Sequence, residues 1–177
     1  MAWDDAVVTN GGVALLREVI SGNALVLDNA AGGTGVVPAV ALMAQTALAT
    51  QKQTFPIVSS TVVGNGKKVK IQITNTTLTT GYTLNQIGIW AHIGNNPSVL
   101  FAILQDAAGM PIPSSTEITD FTMSLYAVID FSNAGKFSLT VDTSTLVTTG
   151  TLNEALACKL STTGDAKDLS VTFLEGD

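Results

Sequence analysis

The side chains best equipped for chemistry in this sequence are few and far apart. His92 is the single histidine and Cys158 the single cysteine, whereas nucleophilic catalysis asks for a nucleophile, a base beside it and usually a third group that orients the base. On a β-type alternation His92 shares a face with Gln86, Gly88 and Trp90, and no Gly-x-Ser-x-Gly elbow accompanies it. It reads as an outer-face or interface residue. Cys158 has no second thiol for a disulfide or a metal and reads as a small buried or interfacial side chain. The acids Asp4, Asp5, Asp106, Glu117, Asp120 and Asp130 are scattered over turns and strand ends, not set at metal-ligand spacing. Hydrolysis of a cell-wall polymer would need two carboxylates about 5 to 10 Å apart across a cleft, with Asp106, Glu117 and Asp120 the residues to test. No catalytic residue, cofactor or metal site is expected.

Weaker motifs point the same way. Gly32-Gly33-Thr34-Gly35 is glycine-rich like a phosphate-cradling loop but lacks the Lys-Ser/Thr ending and is soon followed by Pro38, so it reads as a plain flexible turn. Asn75-Thr76-Thr77 matches a glycosylation acceptor and is read as strand-end polarity. Trp3, Trp90, Tyr82 and Tyr126 are the aromatics that could stack on sugar rings. A glycan-binding adhesin module is the alternative they offer, provided that they meet in one concave patch.

The elements that must position these residues belong to an unusually apolar chain. Only 12% of the 177 residues are charged while 46% are hydrophobic, and the mean hydropathy is +0.38. The longest apolar runs, Val36 to Ala44 and Val99 to Leu104, fall far short of the ~20 residues of a spanning helix, so membrane insertion is not expected. Met-Ala-Trp-Asp-Asp places acids where a signal peptide carries Lys or Arg, which predicts a protein made and kept without secretion. The surplus of apolar surface is then best explained by burial against copies of the chain or against partners. A net charge of −6 argues against a nucleic-acid partner, and the Lys67, Lys68 and Lys70 cluster reads as a solvated strand end.

Periodicity supplies the fold class. Thr9 followed by Asn10-Gly11-Gly12 and an apolar run to Ile20 predicts a capped helix stopped at Ser21-Gly22. Pro38 opens an Ala-, Leu- and Met-rich segment that predicts a second helix to about Gln51. From residue 57 the period is two. Val69, Ile71 and Ile73 alternate behind an Asn65-Gly66 turn, and Ile87, Ile89, Ala91 and Ile93 form a hairpin with the doubly apolar Val99 to Leu104. Phe121, Met123, Leu125, Ala127, Ile129 and Phe131 share one face, continued by Phe137, Leu139 and Val141 on a return strand. The prediction is an α+β, mainly β chain: an antiparallel β-sandwich-like body over 1–145 with two short helices near the N-terminus, then an extended trimerising connector over 146–177. In the connector, Thr151-Leu152-Asn153-Glu154 is a capping box, and Leu169-Ser170-Val171-Thr172-Phe173 alternates as a strand with no partner nearby in sequence.

The order of these pieces resembles a known family. Thr9-Asn10-Gly11-Gly12-Val13-Ala14-Leu15-Leu16, then Thr54-Phe55-Pro56-Ile57, then Thr74 through Leu84-Asn85-Gln86-Ile87-Gly88-Ile89-Trp90-Ala91 look like the N-terminal domain of bacteriophage tail-collar fibre proteins, over about residues 8 to 145. Gly164-Asp165-Ala166 with Val171-Thr172-Phe173 is similar to segments that link such a domain to a distal shaft. The resemblance implies a structural virion protein, a homotrimer assembled in the host bacterial cytoplasm. It would attach a tail fibre to baseplate or tail-tip proteins, support distal receptor-binding parts in host recognition, and carry no catalytic residues. The chain departs from the pattern at Asn23 and Gln86, where the family usually carries charge, so its baseplate contacts are expected to differ. Trp3, Trp90, Leu152, Leu156 and Leu160, apolar at the edge of the body, are the candidate interface residues.

Overall fold

The computed structural model describes residue 3 and residues 5–64, 66–130 and 137–142. Among these, nine strands and one α-helix form a mainly β body of two antiparallel sheets. The first sheet has the order β1-β7-β6-β2-β3, built from β1 (Asp5–Val8), β2 (Leu25–Thr34), β3 (Thr50–Phe55), β6 (Tyr82–Ile93) and β7 (Val99–Ile112). The second has the order β4-β5-β8-β9, from β4 (Ile57–Val63), β5 (Gly66–Thr74), β8 (Thr122–Asp130) and β9 (Phe137–Asp142). Pro56 alone separates β3 from β4, and the chain changes sheet there because proline cannot donate to a ladder.

The alternation read from the sequence is the packing that forms. Val69, Ile71 and Ile73 of β5 and Met123, Leu125, Ala127 and Ile129 of β8 are buried against Ile87, Ile89, Ala91 and Ile93 of β6, with Phe55, Phe101 and Leu104 between them. Val99 to Leu104 is buried on both faces, because the outer face of the first sheet carries a second apolar layer of Ala31, Leu42, Leu48, Leu100 and Ile103.

Helix α1 (Asn10–Ile20) forms where its cap predicts. Thr9 Oγ1 accepts from Gly12 N at 3.1 Å, and its hydroxyl donates to the Leu100 carbonyl. The Thr9 amide donates to Phe101 O at 3.0 Å. That bond continues the β1–β7 register by one residue beyond the Val8–Ala102 pair.

Two local expectations are corrected. The second helix is a single 3-10 stretch, Ala39–Ala44, after which the chain extends into β3 at Thr50. Only Leu42 and Leu48 of this segment are buried, and positions six apart do not share a helix face. The Gly32–Gly35 run is not a flexible turn, since Gly32 and Gly33 lie inside β2. A Cβ on Gly32 would stand 2.6 Å from Leu84 and Phe55 side chains, and one on Gly33 would stand 2.6 Å from Thr50 O, so these glycines admit close approach of neighbours. The boundary near 145, the connector 146–177 and Phe131 lie outside the described residues.

Candidate functional site

The outer face of β6 presents Gln86, Gly88, Trp90 and His92 in a row, as the alternation requires. Gly88 has no Cβ because the Trp90 ring lies over it, 2.6 Å from where that atom would stand. Trp90 is thereby laid against the second apolar layer. A cavity of about 300 Å³ opens beside it, lined by Gly11, Gln45, Thr46, Ser98, Val99 and Leu100.

Residues 35–49 cover this face, and two buried glutamines hold them there. Gln86 and Gln105 face each other across β6 and β7, with Gln86 Nε2 donating to Gln105 Oε1 at 2.9 Å. Gln105 Oε1 also accepts from Val37 N, and its Nε2 donates to Val37 O, both at 2.8 Å. Gln86 Oε1 accepts from Ala49 N at 2.9 Å. The uncharged residue at 86 is thus a fastening for the segment above it. Gln105→Leu is expected to cost about 2 kcal/mol, because it orphans the Val37 amide and Gln86 Nε2, and to speed proteolysis within 38–49. Unchanged cleavage there contradicts the clamp.

Among the described residues His92 is ion-paired with Asp28. The β2–β6 register shifts between Leu27 and Asn29, and Asp28 at that bulge receives His92 Nδ1 at 2.8 and 2.9 Å on its two carboxylate oxygens. Burial pulls the Asp28 carboxyl upward, but hydrogen bonds from the Ser98 and His92 side chains and the His92 charge outweigh it and hold the group below its ordinary value. The order of groups is Ser98–Asp28–His92. A serine–histidine relay needs the imidazole in the middle, so this trio ties β2 to β6 and does not activate Ser98. With a depressed native value, the stabilisation is fully present above the ordinary aspartate range and is lost as pH falls through the native value. Wild type is expected to melt above Asp28→Asn at about pH 7, with the gap closing below about pH 4. A gap that persists to about pH 2 counts against it.

The aromatics proposed for sugar stacking occupy four different settings. Trp3 packs on the main core and Trp90 on the second layer. Tyr82 donates its hydroxyl to Gln53 Oε1 at 2.9 Å, and burial pushes its phenol up to about 12. Tyr126 lies on the outer face of the second sheet, with Lys68 Nζ 4.3 Å and Lys70 Nζ 5.7 Å from its ring centroid. Two of the clustered lysines therefore hold an aromatic ring, while Lys67 Nζ reaches the Leu25 carbonyl at 3.4 Å.

The three acids considered for hydrolysis have local employment. Asp106 Oδ1 accepts from Ala108 N at 2.9 Å. Glu117 Oε2 accepts from the Ser114 amide and hydroxyl, both at 2.9 Å, and those bonds hold its carboxyl below the usual range. Asp120 turns the chain at φ 58°. Glu117 also borders an apolar groove of about 480 Å³ with Pro111, Pro113, Ile118 and Phe121.

Asn75 is corrected from strand-end polarity to a buried hub. Its Nδ2 donates to Pro113 O at 3.2 Å, Ser114 O at 3.0 Å and Ile118 O at 2.7 Å, while its Oδ1 accepts from Phe121 N at 3.1 Å. With no exposed surface, it is no glycan acceptor in the folded chain.

Exposed apolar side chains gather in two places that sequence reasoning did not single out. Val36, Val40 and Met43 stand out from the segment covering the first sheet, Val40 being 94% exposed. Val58, Val62 and Val63 stand out from β4, Val62 being 77% exposed. The signal for the second group was present in Ile57-Val58-Ser59-Ser60-Thr61-Val62-Val63, a strand without a charge. Leu152, Leu156 and Leu160 lie outside the described residues, so only Trp3 and Trp90 of the predicted interface set can be placed, on separate apolar clusters.

No helix of the described residues is long and apolar enough to cross a membrane. Comparison of the chain with models of known protein families, with curated proteins and with solved structures finds no match.

Proposed function

We propose that this chain is a structural, non-enzymatic attachment module: a homotrimeric virion component that joins a tail fibre to baseplate or tail-tip proteins and starts its threefold stalk. The observation that carries the reading is the pair of exposed valine-rich surfaces, on residues 36–43 and on β4, in a chain with only 12% charged residues. Apolar patches of this kind mark surfaces covered by partners. Support also comes from the residues of the tail-collar resemblance, because the Ile87-Gly88-Ile89-Trp90 strand that carries it is the centre of the first sheet. Gold-labelled antibodies against the chain, imaged on phage particles that contain it, are expected to mark the tail tip. Labelling confined to the head, or of no particle at all, overturns the reading.

A second reading, a glycan-binding adhesin module, rests on the cavity beside Trp90, whose Gln45, Thr46 and Ser98 side chains offer polar contacts next to a ring. A glycan array probed with wild type and Trp90→Ala decides it: retention lost in the variant favours an adhesin.

A further inference from the structure

Among the described residues four strands lie at sheet edges: β1 and β3 in the first sheet, β4 and β9 in the second. Natural edges are blunted by shortness, charge or proline, because an open row of N–H and C=O groups invites another strand. β1 has four residues, and β3 carries Lys52 between glutamines. β4 has seven residues, none charged and none proline, and every one from Val58 to Val63 is exposed.

The facing of β4 sharpens this. Ser60 pairs with Val69 and Val62 with Lys67, so Ser60 and Val62 stand on the side of the sheet that carries the core. Sheet packing does not reach them, and Val62 stays 77% exposed on an inward face. One more strand beside β4, with apolar residues on that face, would extend the core over it.

The chain contains a segment of that description. Leu169, Val171 and Phe173 alternate with Ser170 and Thr172, and twenty-six residues separate Leu169 from the last residue of β9, Asp142. At about 3.3 Å per extended residue this linker reaches up to about 90 Å. The departure point and the open edge lie on opposite sides of one sheet. An outgoing chain at one edge and a vacant edge at the other make a head-to-tail pair, which closes into a ring when rotation allows.

We infer that β4 of each copy receives residues 169–173 of a neighbouring copy as an added antiparallel or parallel strand. Main-chain hydrogen bonds supply the attachment, and the alternating apolar side chains cover Val62. This inference rests on the oligomeric reading above and names where its copies meet.

The test is site-resolved hydrogen exchange on the full-length chain, with molar mass measured in the same buffer. In wild type the outward-pointing amides of 58–63 are expected to exchange about 10-fold or more slower than those of an open edge, in an oligomer. Val62→Lys and Val171→Lys should each abolish that protection while circular dichroism is unchanged. Val62 is exposed enough to accept a lysine without disturbing the body, and the second variant leaves β4 itself untouched. An oligomer whose outward β4 amides exchange freely overturns the inference and leaves the oligomeric reading standing. A monomer with protected β4 amides means that the chain's own tail fills the edge, which overturns exchange between copies. A monomer with open β4 amides overturns both.

Discussion

Replacing Asn75 with alanine is expected to destabilise the body by about 4 kcal/mol, the size of loss reserved for breaking a buried network. One side chain there joins the turn after β5 to the loop before β8. Its amide donates to the carbonyls of Pro113, Ser114 and Ile118, and its oxygen accepts from Phe121 N. The backbone contacts beside it, Asn75 N to Phe121 O and Ser115 N to Leu78 O, depend on the same placement. Alanine leaves several of these groups without partners in a site closed to water, and each orphaned group costs about 1–3 kcal/mol. Asn75→Asp separates hydrogen bonding from volume: it keeps the acceptor for Phe121 N but turns an acceptor toward three carbonyls. It should therefore be nearly as harmful as alanine despite its matching shape. Urea titration of the two variants checks this, and a loss below about 1 kcal/mol in both contradicts the hub.

Gly12→Ala should lower stability by about 3 kcal/mol, although alanine is the better helix former by about 1 kcal/mol. An added Cβ would stand 2.0 Å from Phe101 O and 2.7 Å from a Val8 methyl, so α1 must lift off β7. The Thr9 cap then comes away from Phe101 O, and Leu15 and Leu16 lose burial. Gly11→Ala is the control in the same turn. Its nearest contacts are at 3.5 Å, ordinary packing, and it should raise stability by about 0.5 kcal/mol through the unfolded chain. Opposite signs in the melting temperatures confirm that β7 sets the helix position. Equal signs contradict it.

How far the fold is legible depends on how far apart its determinants lie. Hairpins announce themselves: the period of two in β5, β6 and β8 is local, and so is the Thr9 cap of α1. Residues 38–51 mislead because their alanines, leucines and methionine suit a helix, while what holds them, at Val37 and Ala49, is a pair of glutamines far along the chain. The in-strand glycines mislead in the same way, since Gly32 answers to Phe55 and Leu84. Asn75 carries no local mark of burial. For the candidate site, Trp90 reads in the sequence as an interface residue at the edge of the body, and it stands on the central strand β6, packed on the second apolar layer. Asp28 was not foreseen, because its approach to His92 follows from a bulge that alternation does not announce. The β4 valines form a run without charge that was passed over, and only the sheet order shows that the run is an edge.

These features make a body that is well fastened internally and carries uncovered apolar surface at β4 and over residues 36–43. The central claim is that copies of the chain cover part of that surface in threes. Light scattering of the full-length chain in dilute buffer tests it most directly. A particle of three times the 18.3 kDa chain mass that persists on dilution is the expected result, and a stable, non-aggregating monomer of 18.3 kDa overturns it.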